Sequence, residues 1–235
     1  MGKTFFVRNF ALRLFSSMLL LMVCTMTVCA AEEWEYGKHY RLFYYSGGKG
    51  TKSDPYLIGN AQDLADLAYR VTDVNDDLTG VYFKQIADIV LNDISYGADG
   101  KPTNVSQLQP WTPIGEFNRI WDDDFQGIYD GNGHSISGLY IKAQFYYNGL
   151  FGSCEDAIIK NLTLKNVYLE GSKYDNKDYD GYNVYSSWIL GCVVGKAKSS
   201  TFTNVRVENA LMEIAHKNYT PMLGGLIGNI EGSGN

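Results

Sequence analysis

The chain has 235 residues, with 26 acidic against 20 basic side chains and a net charge of −6. That balance disfavours nucleic acid as a partner, because binding phosphate needs a basic surface. Gly (25) and Tyr (18) are plentiful and Pro (5) is scarce, a composition suited to short strands and tight turns.

The N-terminus has the pattern of a secretory signal. Lys3, Arg8 and Arg13 precede an apolar run over residues 14–23, and Val28 and Ala30 place small residues before a cleavage point. Cleavage is expected after Ala30 or Ala31. The apolar run is short for a membrane anchor. Val23 and Val28, ahead of Cys24 and Cys29, do not suit lipoprotein processing. Residues 1–30 are therefore read as a signal peptide, and the mature chain is expected to be exported, without a membrane span. Cleavage removes three basic residues and no acidic one, leaving a more acidic chain, and it leaves two cysteines, Cys154 and Cys192.

Residues 31–50 are read as an N-terminal arm: polar and aromatic at first, then a turn-rich entry, "SGGKGTKSDP". This arm is expected to be a leader strand or mobile. A short strand follows at residues 56–58. Asn60 then caps the one convincing helix, with Asp63 three residues on in the manner of a capping box, and Leu64, Leu67, Ala68 and Val71 at helical spacing. "GVYFKQIADIVLND" (80–93) reads as strand, residues 99–109 as a polar loop, and "WTPIG" (111–115) as the start of another strand.

From Phe125 onward the chain repeats itself. "GLFG", "GCVVG" and "GGLIG" begin at residues 149, 191 and 224, and "IIKNLTLKNVYL" aligns with "TFTNVRVENALM" 43 residues later. Apolar residues recur in phase, and Asn161 and Asn166 align with Asn204 and Asn209. Asn tolerates left-handed backbone and is suited to corners. Stacked copies would place like residues over one another, so that apolar residues fill a continuous core and Asn side chains ladder. The interval from Gly195 to Gly228 is shorter, 33 residues, and a polar, Tyr-rich insertion over residues 172–187 accounts for the longer first interval. The fold class expected is all-β, a right-handed parallel β-helix (β-solenoid) over residues 51–235. The helix at 60–71 serves as N-terminal cap over an otherwise open core. The third repeat stops before its strand pair, so the natural protein is longer or a partner covers that end.

The glycine-framed repeats resemble the GLUG motif. The wider order resembles the N-terminal part of bacterial GLUG-repeat surface proteins: "GKGTKSDPYLI", a helix with "LADLA", "GVYFKQIADIVL", "WTPIG", "FQGIYDGNGHSISGL", then "GLFG" and "IIKNLTLKN". The resemblance runs from Gly47 to the end. It departs from the pattern at Cys192, where a second glycine is usual, and in the shortened third repeat. It implies a secreted or wall-attached, adhesin-like chain with β-helical repeats, which also occur in IgA-specific metallopeptidases. It carries over no catalytic residue.

Candidate sites are few. Asp130 and His134 in "DGNGH" offer an acid–base pair, but Asp-Gly and Asn-Gly are also strong turn signals, and the flanks alternate as strands do. The turn is the expected reading, with His134 hydrogen-bonded locally. "WDDDF" (121–125) offers acids beside aromatics for a cation or sugar, and is expected to be a solvated loop. "NKDYDG" (176–181) resembles the start of a calcium loop through Asn176, Asp178 and Asp180, but Ser187 stands where a bidentate Glu belongs. Tyr174, Tyr179, Tyr182, Tyr185 and Trp188 offer flat rings for a sugar or protein, or fold the insertion back. Cys154 and Cys192 are five positions out of register and are expected to be unpaired. HExxH, GxSxG, P-loop and CxxC patterns are absent from the sequence. No catalytic, metal or cofactor residue is therefore assigned, and no cofactor is expected. The expected function is a non-catalytic extracellular scaffold for adhesion or ligand display, with a glycan or protein partner. The alternatives are a polysaccharide lyase or hydrolase, or a non-catalytic segment of a larger secreted protease.

Overall fold

The computed structural model describes residues 33–39, 42–76, 78–115, 117–118, 121–143, 146–171, 189–214 and 221–232. The segment read as a signal peptide and the insertion with its calcium-like motif lie outside these residues. Strand is the main regular structure of the described residues, nearly all of it paired in parallel.

After β1 (Tyr56–Ile58) comes α1 (Ala61–Thr72). Its start follows from its sequence. Asn60 is extended and its side chain accepts the Asp63 N–H at 2.9 Å, which satisfies an amide the helix cannot. The Asp63 carboxylate reaches back to the Gly59 N–H at 2.8 Å, one residue short of a true capping box. Leu64, Leu67, Ala68 and Val71 are fully buried in the main core, so the helix covers apolar surface as its stripe predicts.

The expected strand over 80–93 is two strands, β2 (Tyr82–Gln85) and β3 (Ile89–Val90). "WTPIG" forms no strand, but Ile114 makes a single parallel bridge to Phe151. A short antiparallel pair, β4 (Phe117–Asn118) and β5 (Trp121–Asp122), follows. Next come β6 (Ile128–Asp130), β7 (Ser135–Ser137), β8 (Tyr140–Lys142), β9 (Tyr147–Asn148), β10 (Phe151–Glu155) and the long β11 (Ile158–Gly171). Beyond residue 188 lie β12 (Ile189–Gly191), β13 (Val194–Lys198), β14 (Thr201–Ile214), β15 (Met222–Gly224) and β16 (Ile227–Glu231).

β11 organises the largest sheet. Its three thirds pair in parallel with β6, β7 and β8, and its length pairs with β14, Ile158 opposite Thr201 and Gly171 opposite Ile214. The thirds are divided by Asn161 (φ 54°) and Asn166 (φ 51°), both left-handed. Ile159, Leu162, Leu164, Val167 and Leu169 are fully buried, so the inward alternation slips one place at each Asn. Two successive outward residues are what a corner needs. β14 repeats the device with Asn204 (φ 52°) and Asn209 (φ 56°). The Asn204 amide donates to the Asn161 side-chain oxygen at 3.1 Å, and Asn209 donates to Asn166 at 2.7 Å.

The core is built of columns. Phe83, Tyr129, Ile159 and Phe202 lie in one register, and Ile89, Ile136, Leu164 and Val207 in another. Two smaller parallel sheets follow the intervals of the repeats, β10–β13–β16 with offsets of 43 and 33 residues and β9–β12–β15 with offsets of 42 and 33. The framing glycines reflect how close the passes lie. A Cβ on Gly152 would stand 2.0 Å from the Gly115 carbonyl oxygen.

The N-terminal arm is docked over residues 33–39, against the mobile or strand reading. Trp34 is buried edge-on to Trp111, with ring centroids 5.3 Å apart, and its indole N–H donates to the Leu91 carbonyl at 3.2 Å. The polar loop also has an apolar side. Leu108 and Ile94 cover Tyr140 and Tyr168, whose rings stack at 5.5 Å.

Cys154 pairs in register with Ala197, five residues past Cys192, and both thiols are free and buried, as the offset requires. Burial raises the thiol of Cys192 to about 11 and that of Cys154 well above its ordinary value. In the chain from residue 31, neither thiol should react with a disulfide reagent until denaturant is added, when both should. Rapid labelling of the native protein would contradict this burial.

Candidate functional site

The "DGNG" stretch is a corner between parallel passes, not a hairpin. β6 and β7 both pair with β11, and residues 131–134 do what residues 161 and 162 do one pass later. The two extra residues give a small protrusion. Asn132 (φ 54°) and Gly133 (φ +83°) take the left-handed backbone. Gly131 has a different reason to be glycine: a Cβ there would stand 2.5 Å from the Asn161 carbonyl oxygen.

Asp130 and His134 take different partners. The Asp130 carboxylate accepts the Asn132 N–H at 2.9 Å and the Asn161 amide at 3.0 Å, with Lys160 Nζ at 3.2 Å. Partial desolvation pushes its pKa up, but the hydrogen bonds from Asn161 and Asn132 and the charge of Lys160 hold it below the ordinary carboxylate value. His134 is hydrogen-bonded locally, as expected, its N–H donating to the Gly131 carbonyl at 2.8 Å, while its Nδ1 lies 3.5 Å from Asp88, 46 positions earlier in the chain. Asp88 also accepts the Ser135 N–H at 2.7 Å, which with His134 and Lys165 lowers its pKa. A carboxylate made less basic and occupied by turn amides is a poor general base. The chemistry of this corner is to hold the turn.

"WDDDF" is not a solvated loop. Asp123, Asp124 and Phe125 are buried, and the Ser153 hydroxyl donates to Asp124. Phe125 bridges in parallel to Cys154, which draws the acids into the wall of the fold. Two acids lie on the helix: Asp63, read from the sequence at the capping-box position, and Asp66, which was not singled out. Asp66 is buried, accepting from the Gln62 amide at 2.8 Å and lying 2.7 Å from His39 Nδ1. Asp63 accepts from Ser46 and Gly59. A carboxyl inside an apolar stripe was the available signal. Among the described residues, no group of three or more His, Cys, Asp or Glu is placed to hold a metal ion, and no helix is long and apolar enough to cross a membrane. Asn176, Asp178, Asp180 and the insertion aromatics lie outside the described residues.

β14 pairs with β11 alone among the described strands. Leu223, Leu226 and Ile230 are 50, 42 and 71 % exposed. Val193, Phe202, Val205, Leu226 and Ile227 line a hollow of about 240 Å³. The partners of these residues one pass earlier are fully buried.

No family model matches the chain. No solved structure matches it either. Two curated proteins are similar over 128 residues, 53 % of this chain. One, from Evansella cellulosilytica, carries the name Gly-rich membrane protein and is 34 % identical. The other, from Haloquadratum walsbyi, carries the name Halomucin and is 30 % identical. The chain spans 12 % of the length of the first and 1 % of the second.

Proposed function

We propose that this chain is a cell-surface scaffold without catalytic activity, a right-handed parallel β-helix of GLUG type capped by α1, which displays or adheres to a glycan or matrix protein. The observation that carries the reading is the parallel register of β11 on β14, with Asn over Asn at both corners. That arrangement extends a rigid wall by repetition, which is what a display scaffold requires. The names of the two relatives, one a membrane protein and the other Halomucin, favour an address at the cell surface. So do the signal-like N-terminus and the acidic composition. The engagement of Asp130 and His134 in the corner favours scaffold over enzyme.

The test is binding of residues 31–235 to glycan and extracellular-matrix arrays, with and without calcium, and with product release assayed for each glycan bound. Binding without turnover is expected. Turnover of any glycan would overturn the reading. Calcium-dependent binding lost on replacing Asp178 and Asp180 by Asn would assign the insertion as the ligand face.

A further inference from the structure

We propose that Asn132 is a site of spontaneous covalent modification, deamidation through attack by the Gly133 nitrogen, gated by the contact of its corner with β11. The proposal rests on the stacked passes, not on the adhesion reading.

Asn-Gly is prone to this reaction for a steric reason. The nitrogen of the following residue must reach the Asn side-chain carbon, and glycine has no Cβ to obstruct it. The Gly133 N–H gives up its proton and a bond forms from that nitrogen to Asn132 Cγ. The Cγ–Nδ2 bond breaks, and ammonia leaves with the proton. Water then opens the five-membered imide at either carbonyl. One opening gives Asp, the other an isoaspartyl linkage with the main chain rerouted through the side chain. Water is the sole co-reactant, and nothing is oxidised or reduced.

The chain holds two Asn-Gly pairs, at residues 132–133 and 148–149. Their surroundings separate them. Asn148 is fully buried, and a Cβ on Gly149 would stand 2.6 Å from the Phe151 carbonyl oxygen and 2.7 Å from that of Gly191. Backbone closes in on that pair, so reaction there waits for unfolding. Asn132 and Gly133 are exposed, and the space over Gly133 is empty to 4 Å. Two hydrogen bonds hold them. The Gly133 N–H donates to the Asn161 carbonyl of β11 at 3.0 Å, and the Asn132 amide donates to the Gln85 carbonyl at 3.2 Å. The nucleophile is thus tied to the next pass and the leaving group to the previous one. Both bonds can break while β6 and β7 stay paired with β11, so the opening that permits reaction is confined to the corner.

Neither product restores the corner. A carboxylate at position 132 has no proton to donate to the Gln85 carbonyl and faces it as a second acceptor. The isoaspartyl form also adds one carbon to the main chain ahead of Gly133, which carries the Gly133 N–H out of line with the Asn161 carbonyl. The modification therefore detaches the corner from the passes on either side, and it is irreversible.

The test compares the folded chain, residues 31–235, with a free peptide of residues 126–140, QGIYDGNGHSISGLY, both kept in mildly alkaline buffer. Peptide mapping by mass spectrometry reads the exchange of the side-chain amide for a carboxyl at each Asn. Asn132 is expected to react at least about ten-fold more slowly in the folded chain than in the peptide, and at least about ten-fold faster than Asn148 in the same molecules. Gly131→Ala puts a Cβ 2.5 Å from the Asn161 carbonyl oxygen and pushes the corner off β11, so it should move Asn132 toward the peptide rate. A further measurement needs no variant. In rising sub-denaturing urea the Asn132 rate should climb less steeply than the Asn148 rate, because opening a corner exposes less surface than unfolding. A folded-chain rate equal to the peptide's would overturn the gate. Asn132 as inert as Asn148 would overturn the site. Equal urea slopes at the two Asn, or a Gly131→Ala chain with the rate at Asn132 unchanged, would overturn local opening against β11.

Discussion

Leu164→Asp is expected to abolish folding. Leu164 is fully buried, between Ile136 on one pass and Val207 on the next, in a column that begins at Ile89. Removing a buried Leu side chain costs about 2–5 kcal/mol by itself. The carboxylate adds desolvation with no cation in the column to offset it, or must take up a proton to avoid it. The sum, at least about 4 kcal/mol, rivals the whole stability of a domain this size. Two controls make the result specific. Leu164→Met keeps volume and apolarity and should cost less than about 1.5 kcal/mol. Thr163→Asp puts the same charge one residue away on the outward, half-buried side, and should cost about 0.5–1 kcal/mol. Soluble yield, circular dichroism and urea midpoints read all three. A folded Leu164→Asp with a native midpoint would mean that the strand is out of register by one residue, since such a slip exchanges the two faces.

The register was legible because it is a comparison internal to the chain. Ile159 against Phe202 and Asn161 against Asn204 need no knowledge of neighbours, only recurrence of type and phase, and the structure pairs these segments at the same 43-residue offset. Helix α1 was legible from Asn60 and its apolar spacing. What failed depended on partners distant in sequence. "WDDDF" reads as solvated because three acids in a row are hydrophilic. Asp123 and Asp124 are drawn inward because Phe125 bridges to Cys154 and Ser153 supplies a donor to Asp124. The arm reads as mobile because it has no period. It is fixed by two tryptophans 77 positions apart in the chain. The turn at 131–134 was legible from Asp-Gly and Asn-Gly, but its being a corner between two parallel strands was not. Only the pairing of β6 and β7 with the same strand tells a corner from a reversal. In the candidate site the turn chemistry was legible, while Asp88, 3.5 Å from His134, was not, because its position depends on the preceding pass.

Gly138→Ala should be among the most damaging single-methyl changes in the protein, and Gly133→Ala among the mildest at a left-handed glycine. Both backbones are left-handed, with φ of +72° and +83°. Left-handed strain alone costs about 1–2 kcal/mol for a non-glycine residue. The surroundings separate them. At Gly133 a Cβ meets nothing within 4 Å, so strain is the whole cost. At Gly138 a Cβ would stand 1.8 Å from the Asn92 carbonyl oxygen and 2.7 Å from its N and C atoms. These are backbone atoms that cannot rotate away. Asn92 is itself fixed, its side-chain amide donating to the Gly138 carbonyl at 2.9 Å and to Gln109 at 3.1 Å. Moving Gly138 away instead would strip its N–H from the Lys165 carbonyl on the next pass. One pass later the same corner is Asn166, which tolerates the left-handed backbone, so the corner demands only that conformation. The close approach of Asn92 is what demands glycine. Gly138→Ala is therefore expected to cost more than about 3 kcal/mol, through strain plus the clash, against about 1–2 kcal/mol for Gly133→Ala. Urea denaturation of the two variants side by side measures the gap. Equal midpoints would show that backbone conformation alone sets the corners and that the passes are less tightly stacked there than the Asn92–Gly138 approach implies.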